Sequence, residues 1–354
     1  MAFRRKPQTQ TRGLRDQFSP GFWLWVDQSA SPKEFRGMRF ASCVFENREH
    51  LGVVEGEYVV DVLLALGFFE RGDVPNERVA TAARTIRTMG GPPADMIDLL
   101  ARGEEYWNAV DVIAGAALTE AFPRESPSGL FTPLASARLR APVPRPPKIV
   151  CVGLNYADHA REQGIEPPKE PLFFLKSSNT ICGPGDPIRL PPNSTQVDYE
   201  AEFAVVMGKG GSRIPLDKAH EYVAGYMIVN DVSARDMQFG DKQWFRGKSC
   251  DTFAPCGPSI VTKDEVSDPH NLRISLTLNG VTMQDSNSSN LIFKVPHLIS
   301  YLSQSLTWEP GDLISTGTPP GVGVFRKPPV FLKPGDTVSI TVERLGTLTN
   351  PVVR

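Results

Sequence analysis

The stretch Asp198-Tyr199-Glu200-Ala201-Glu202-Phe203-Ala204-Val205-Val206-Met207 constrains the fold of this chain more than any other. Its second half is apolar and partly β-branched, which predicts a buried strand. Side chains alternate along a strand, so Glu200 and Glu202 point the same way. Two carboxylates that close repel each other, and burying them unpaired is expensive. A positive partner must sit between them, and a divalent cation is the simplest. On spacing alone, a strand with a solvated face accounts for Glu-Ala-Glu equally well.

The rest of the composition narrows the class. The chain has 354 residues, enough for one large domain and a smaller one. A net charge of −2 offers no basic face for nucleic acid or an anionic membrane. No run reaches the roughly 18 apolar residues of a membrane span. The five cysteines are widely spaced with no CxxC pair, which predicts buried thiols in a reducing compartment. Thirty-two prolines and 30 glycines suit a β-rich protein with many turns.

Residues 1–37 begin with Arg4, Arg5, Lys6, Arg12 and Arg15, and Asp16 is the first acid. The plainest expectation is a basic, disordered or partner-covering extension. The predicted location is cytoplasmic, or mitochondrial if this extension is a presequence. Residues 38–140 read as a small α+β N-terminal domain, with strands between Arg39 and Val62 and helical periodicity over 76–121. The proline-rich segment Leu139–Pro147 marks a boundary. Residues 141–354 read as a mostly β domain with helices at 216–222 and near 295–305.

Three groups could carry chemistry. Asp231, at the end of the apolar run Gly225–Asn230, joins Glu200 and Glu202 as a third carboxylate. Three carboxylates without clustered His or Cys suit a hard cation, Mg²⁺ or Mn²⁺. His159 and Glu162 are three apart on a short helical segment stopped by Gly164, where a carboxylate fixes the imidazole tautomer and raises its basicity. Such pairs are ordinarily plain surface pairs. Lys176, Arg235, Gln238, Lys248 and the loop Ser315–Gly323 form a cationic and polar group. Taken singly, each basic residue reads as a solvated charge or a salt-bridge partner.

Several of these segments recur together, in one order. They are Gly153-Leu154-Asn155-Tyr156 with His159 and Glu162, Phe173–Lys176, Asp198–Glu202, Asn230–Gln238, Gly247-Lys248-Ser249, Asp251–Pro258 and Thr316–Gly323. From about Pro147 to Val352 the chain resembles the fumarylacetoacetate hydrolase superfamily. The resemblance implies a mixed β-roll or sandwich catalytic domain, a homodimer, and Mg²⁺ or Mn²⁺ held by Glu200, Glu202 and Asp231. It implies a catalytic dyad of His159 and Glu162 on a lid segment, with Lys248 near the substrate oxygens. Lys176, Arg235, Gln238 and Thr318 would line the cleft. Ser177 stands where many members have proline, and Pro320 where alanine is common; neither is a ligand position.

The expected reaction is metal-dependent hydrolysis of a C–C bond in a small acylpyruvate-type diketo acid through an enolate. Decarboxylation of oxaloacetate, or enol–keto tautomerisation of a 2-oxo acid, would use the same site and the same intermediate. A ligand-binding protein that kept the fold without turnover is the alternative from another class, and the basic extension could separately serve a partner.

Overall fold

The computed structural model describes residues 38–45, 47–71, 76–118 and 129–354. The basic stretch 1–37 lies outside the described residues, as does the end of the helical region expected over 76–121. Strands predominate and helices are grouped, giving a mainly β fold with α+β elements.

The main sheet has twelve strands. Across it run Phe131–Pro133, Tyr58–Asp61, Arg48–Glu55, Arg39–Phe45, Ala254–Thr262, Val223–Asn230, Ala201–Met207, Leu313–Ser315, Ile149–Gly153 and Leu172–Lys176. Arg138–Leu139 and Ile181–Cys182 pair onto its sides. A second sheet of five strands contains Arg273–Leu278, Val281–Asn287, Thr337–Val342 and Gly346–Val353, with Ile188–Arg189 at its edge. Val197–Asp198 pairs separately with Ser233–Ala234.

The strand Ala201–Met207 is buried along its whole length, and its alternation serves two cores. Phe203, Val205 and Met207 pack with Ile274, Leu276, Val338 and Ile340 of the five-stranded sheet. Ala204 and Val206 pack on the other face with Leu99, Trp107, Val110 and Ile113. Those last residues belong to the helices Met96–Ala101 and Glu104–Ala116. These helices, with Glu77–Thr88, form where periodicity predicts them, and Asn76 and Asp95 cap two of them by accepting from Val79 N at 3.1 Å and Asp98 N at 2.8 Å.

The residue-140 boundary separates two styles of sequence but does not interrupt the sheet. Arg39 pairs with Val261 and Phe40 with Ile260, so the N-terminal strands extend the sheet of the C-terminal part. Both parts also contribute to the helix-side core. The described residues accordingly form one compact unit. We retain the division at 140 only as a proposal about separate roles.

Parity places the site. Glu202 lies opposite Val229 in register, and Val229 belongs to the helix-side core. Asp231 follows two residues after Val229. Ser315 is two residues beyond Leu313, and Phe174 two before Lys176, and both Leu313 and Phe174 also pack on that side. The ends of four strands of the main sheet therefore direct Glu202, Asp231, Ser315 and Lys176 to one place.

Candidate metal centre and proton-transfer site

Glu200, Glu202 and Asp231 each bring a carboxylate oxygen to within 4.8 Å of the others, all three residues being buried. Glu200 stands just ahead of the strand Ala201–Met207 rather than within it. It is held there by its neighbours: Glu200 N donates to Asn230 Oδ1 at 3.0 Å, and Asp231 N donates to Glu200 O at 3.0 Å.

Three cations meet the cluster. Lys248 Nζ lies 2.6 Å from both Glu200 Oε2 and Asp231 Oδ2. Lys176 Nζ donates to Asp231 Oδ1 at 2.6 Å and to Val232 O at 3.0 Å. The Arg235 guanidinium spans Asp198 (2.9 Å), Glu200 (2.6 Å) and Gln238 Oε1 (3.0 Å). Lys248 Nζ also sits 4.9 Å from the centre of the Phe174 ring. Burial pulls the Lys248 ammonium down, but Asp231 and Glu200 outweigh it and hold it above the ordinary lysine value. Burial likewise pushes Glu200 up, but Lys248 and Arg235 hold its carboxyl far below the usual range.

Glu202 is different. Its Oε2 accepts from Ser315 Oγ at 2.5 Å and from Gly317 N at 2.9 Å, both neutral donors. Burial, and then the charges of Asp231 and Glu200, push its carboxyl well above the usual range. Gly317 can aim its N–H this way because it adopts φ +104°; a Cβ there would meet the Asn155 Cβ at 2.9 Å.

The four buried carboxylates Asp198, Glu200, Glu202 and Asp231 thus share three buried cations. Among the described residues, Glu202 is the one of the four without a cationic contact, and its carboxylate lies within 4.8 Å of oxygens of both other ligand candidates. A divalent cation fits on both counts: the donors are hard oxygens, and the added charge compensates Glu202. With it the centre becomes net positive, which suits an anionic substrate.

The second cluster is on the helix Ala157–Gln163. His159 is buried and its Nδ1 is 2.9 Å from Glu162 Oε2. Glu162 Oε1 accepts from Gly321 N at 3.0 Å. The helix is anchored at its start, where Asp158 Oδ2 accepts from Ser286 Oγ at 2.6 Å and Asn290 Nδ2 at 3.2 Å. Asn155 Nδ2 donates to Thr316 O at 2.8 Å. One loop, Ser315–Gly323, therefore touches Glu202 through Ser315 and Gly317 and touches Glu162 through Gly321.

All ten residues singled out from the sequence fall in these two linked clusters, although several are less available than expected. Thr318 Oγ1 donates to Ala201 O at 3.0 Å and accepts from Gln284 Nε2 at 2.9 Å. Arg235 and Gln238 are spent on each other and on carboxylates. Sequence reasoning assigned no role to Asp198, which receives Arg235 and the backbone N–H groups of Gly323 and Val324 at 2.7 and 3.0 Å. The alternation that flagged Glu200 and Glu202 also included Asp198. Ser315 lay in the loop Ser315–Gly323 already singled out, whereas Gln284 and Gln163 carried no comparable signal.

Comparison with known proteins identifies the family. Residues 148–353 match the family model described as fumarylacetoacetate (FAA) hydrolase C-terminal. A Bos taurus protein named oxaloacetate tautomerase FAHD2A, mitochondrial, is 50% identical over 263 residues, spanning 74% of this chain and 80% of the relative. Among solved structures, fumarylacetoacetate hydrolase from Exiguobacterium antarcticum is 31% identical with a TM-score of 0.70, covering 89% of this chain and 99% of that one. A 2-hydroxyhepta-2,4-diene-1,7-dioate isomerase from Mycobacterium marinum is 34% identical with a TM-score of 0.63, covering 90% and 98%. The chain belongs to the fumarylacetoacetate hydrolase family.

Proposed function

We propose that this enzyme interconverts the enol and keto forms of oxaloacetate or a closely similar 2-oxo diacid. The observation that carries this reading is the 50% identity over 263 residues to a protein named oxaloacetate tautomerase. It favours the tautomerase alternative over the acylpyruvate hydrolysis expected first from the sequence.

The residues present suit a reaction in which only a proton moves. Tautomerisation takes a proton from C3 and returns one to the C2 oxygen, with no water consumed and no C–C bond broken. Glu162 accepts from Nδ1 of His159, which leaves a lone pair on Nε2 as the base. Lys248 holds positive charge beside Glu200 and Asp231, where a substrate oxygen that gains charge is stabilised. Lys176 and Arg235 add to the field that draws in an anion. Held by Glu200, Glu202 and Asp231, Mg²⁺ or Mn²⁺ would supply Lewis-acid polarisation of the substrate's oxygens.

Hydrolysis of an acylpyruvate remains the second reading, supported by the solved hydrolase at 31% identity and by a dyad suited to activating water. The test is exchange of the C3 protons of oxaloacetate in D₂O with Mg²⁺, followed by proton NMR. The tautomerase reading expects enzyme-dependent exchange without matching loss of oxaloacetate. Exchange at the uncatalysed rate would sink it.

A homodimer is part of the proposal. Leu172–Lys176 ends the main sheet, and Leu172, Leu175, Phe239 and Phe245 are exposed. Light scattering that returns the mass of a single 38.9 kDa chain would rule it out. We also propose a mitochondrial rather than cytoplasmic location, supported by the relative's name and by the basic residues 1–37. Among the described residues no helix is long and apolar enough to cross a membrane. Location of the tagged full chain outside mitochondria would overturn the proposal.

A further inference from the structure

The helix Ala157–Gln163 sets His159, Glu162 and Gln163 at positions i, i+3 and i+4, so their side chains share one face. A carboxylate accepts hydrogen bonds and cannot donate. Glu162 Oε2, 2.9 Å from Nδ1, therefore places the imidazole proton on that nitrogen. Nε2 of the neutral ring then presents its lone pair. Gln163 Nε2 lies 2.8 Å from it, so the Gln163 amide N–H donates to it. Both ring nitrogens are engaged within one helical turn, and the nitrogen needed as a base is covered by Gln163.

The two partners are held differently. Glu162 is tied at both oxygens, to His159 and to Gly321 N at 3.0 Å. Among the described residues the Gln163 amide has no partner except His159. Gln163 is also the last residue of its helix, and Gly164 after it takes the left-handed conformation at φ +66°. A change of rotamer at Gln163 frees Nε2 without unwinding the helix or disturbing Glu162. One hydrogen bond at Nδ1 would leave the ring free to swing about that contact, and the second removes this freedom.

We propose that Gln163 is a positioning residue for His159. It seats the imidazole against Glu162 in the substrate-free enzyme and yields Nε2 to the proton of the substrate. The inference rests on the proton-transfer role of His159 argued above. The amide exchanges no atoms: its N–H···N contact breaks, and the substrate's proton-bearing group takes the vacated place. Among the described residues, the charged and titratable groups around the dyad are Asp158, held by Ser286 and Asn290, Arg326, whose guanidinium rests on the carbonyls of Gly321 (3.2 Å) and Met283 (2.6 Å), and Tyr199, whose hydroxyl donates to Gly321 O at 3.4 Å. Phe325 covers the ring with centroids 5.8 Å apart and brings no charge.

Two substitutions in the full-length protein test this. Gln163→Glu sets a carboxylate against Nε2, which favours a doubly protonated ring. We expect the acid limb of kcat/KM for oxaloacetate tautomerisation to move up by roughly one to three pH units. Imidazole ¹⁵N NMR without substrate should then show both ring nitrogens protonated up to a higher pH than in the wild type. Gln163→Leu keeps the bulk and removes the donor; kcat should fall roughly tenfold with KM little changed and the acid limb in place. A Gln163→Glu protein with wild-type pH profile and wild-type ¹⁵N pattern overturns the proposal, as does a Gln163→Leu protein with wild-type kcat. If the ¹⁵N pattern changes as expected while the wild type fails to tautomerise oxaloacetate, the substrate reading falls and the seating of His159 by Gln163 stands.

Discussion

Replacing Glu202 with glutamine separates charge from shape at the centre. Glutamine keeps an oxygen for Gly317 N and Ser315 Oγ, which now bond Glu202 Oε2. It removes the negative charge that faces Glu200 and Asp231, whose oxygens lie within 4.8 Å. At that separation each like-charge pair costs about 3 kcal/mol at an effective dielectric of about 20. Protonation of Glu202, whose carboxyl burial and those neighbours push up, already relieves part of this. Metal-free Glu202→Gln should therefore be at least as stable as the metal-free wild type, with a gain of less than the sum of the two pairs, about 7 kcal/mol. The metal response goes the other way. At one hundred times its Kd, Mg²⁺ adds about 2.7 kcal/mol to a protein that binds it, a shift of several degrees in Tm. The wild type should show that shift and Glu202→Gln should lose it. The sign with pH follows. A carboxyl raised in the folded, metal-free state must lose its proton when a cation enters. Mg²⁺ affinity should then rise with pH, and calorimetry in buffers of different ionisation enthalpy should detect a released proton in the wild type only. Equal Mg²⁺-induced shifts in Tm for the two proteins would refute the ligand assignment.

Lys248→Met should leave Glu200 and Asp231 facing each other without their shared cation, costing about 3–5 kcal/mol in denaturant unfolding and roughly 10²-fold or more in kcat. Should Lys248→Met unfold at the wild-type midpoint, the ion pairs contribute nothing net. His159→Ala should lower kcat for tautomerisation by about 10²–10⁴, a loss far larger than the modest fall in melting temperature expected from removing its packing against Phe325. Undiminished proton exchange in that variant would remove the dyad from the mechanism. Exhaustive EDTA treatment should abolish activity, and Mg²⁺ or Mn²⁺ should restore it; full activity of protein shown by elemental analysis to be metal-free would contradict the centre.

What the sequence makes legible here is local chemistry at short spacing. Alternation along Ala201–Met207 correctly sends Glu202 to the side opposite Phe203, and the periodicity of Met96–Ala116 correctly yields helices. The spacing of His159 and Glu162 survives as a 2.9 Å contact because i and i+3 meet on any helix. Pairings between distant parts of the chain are not legible. Nothing in Arg39-Phe40 names Val261 and Ile260 as partners, so a sheet continuous past residue 140 looks from the sequence like two separate domains. Asp198 sat in the same alternating run as the glutamates, yet its role depends on Arg235 and on the amides of Gly323 and Val324, which arrive from elsewhere. Gln163 was illegible for a further reason: a glutamine at a helix end is unremarkable until the nitrogen it faces is known. The reaction itself is the hardest to read, since tautomerase, decarboxylase and hydrolase would all call on the same cation cluster and pass through the same enolate.

That ambiguity also selects the most direct measurement. One preparation with Mg²⁺ should be offered oxaloacetate and acetylpyruvate side by side, with enol–keto interconversion followed by ultraviolet absorbance and pyruvate release followed enzymatically. The proposed function predicts that interconversion of oxaloacetate exceeds pyruvate release from either compound by at least about tenfold in kcat/KM. Pyruvate release from acetylpyruvate that outruns the interconversion would contradict it and return the enzyme to C–C bond hydrolysis.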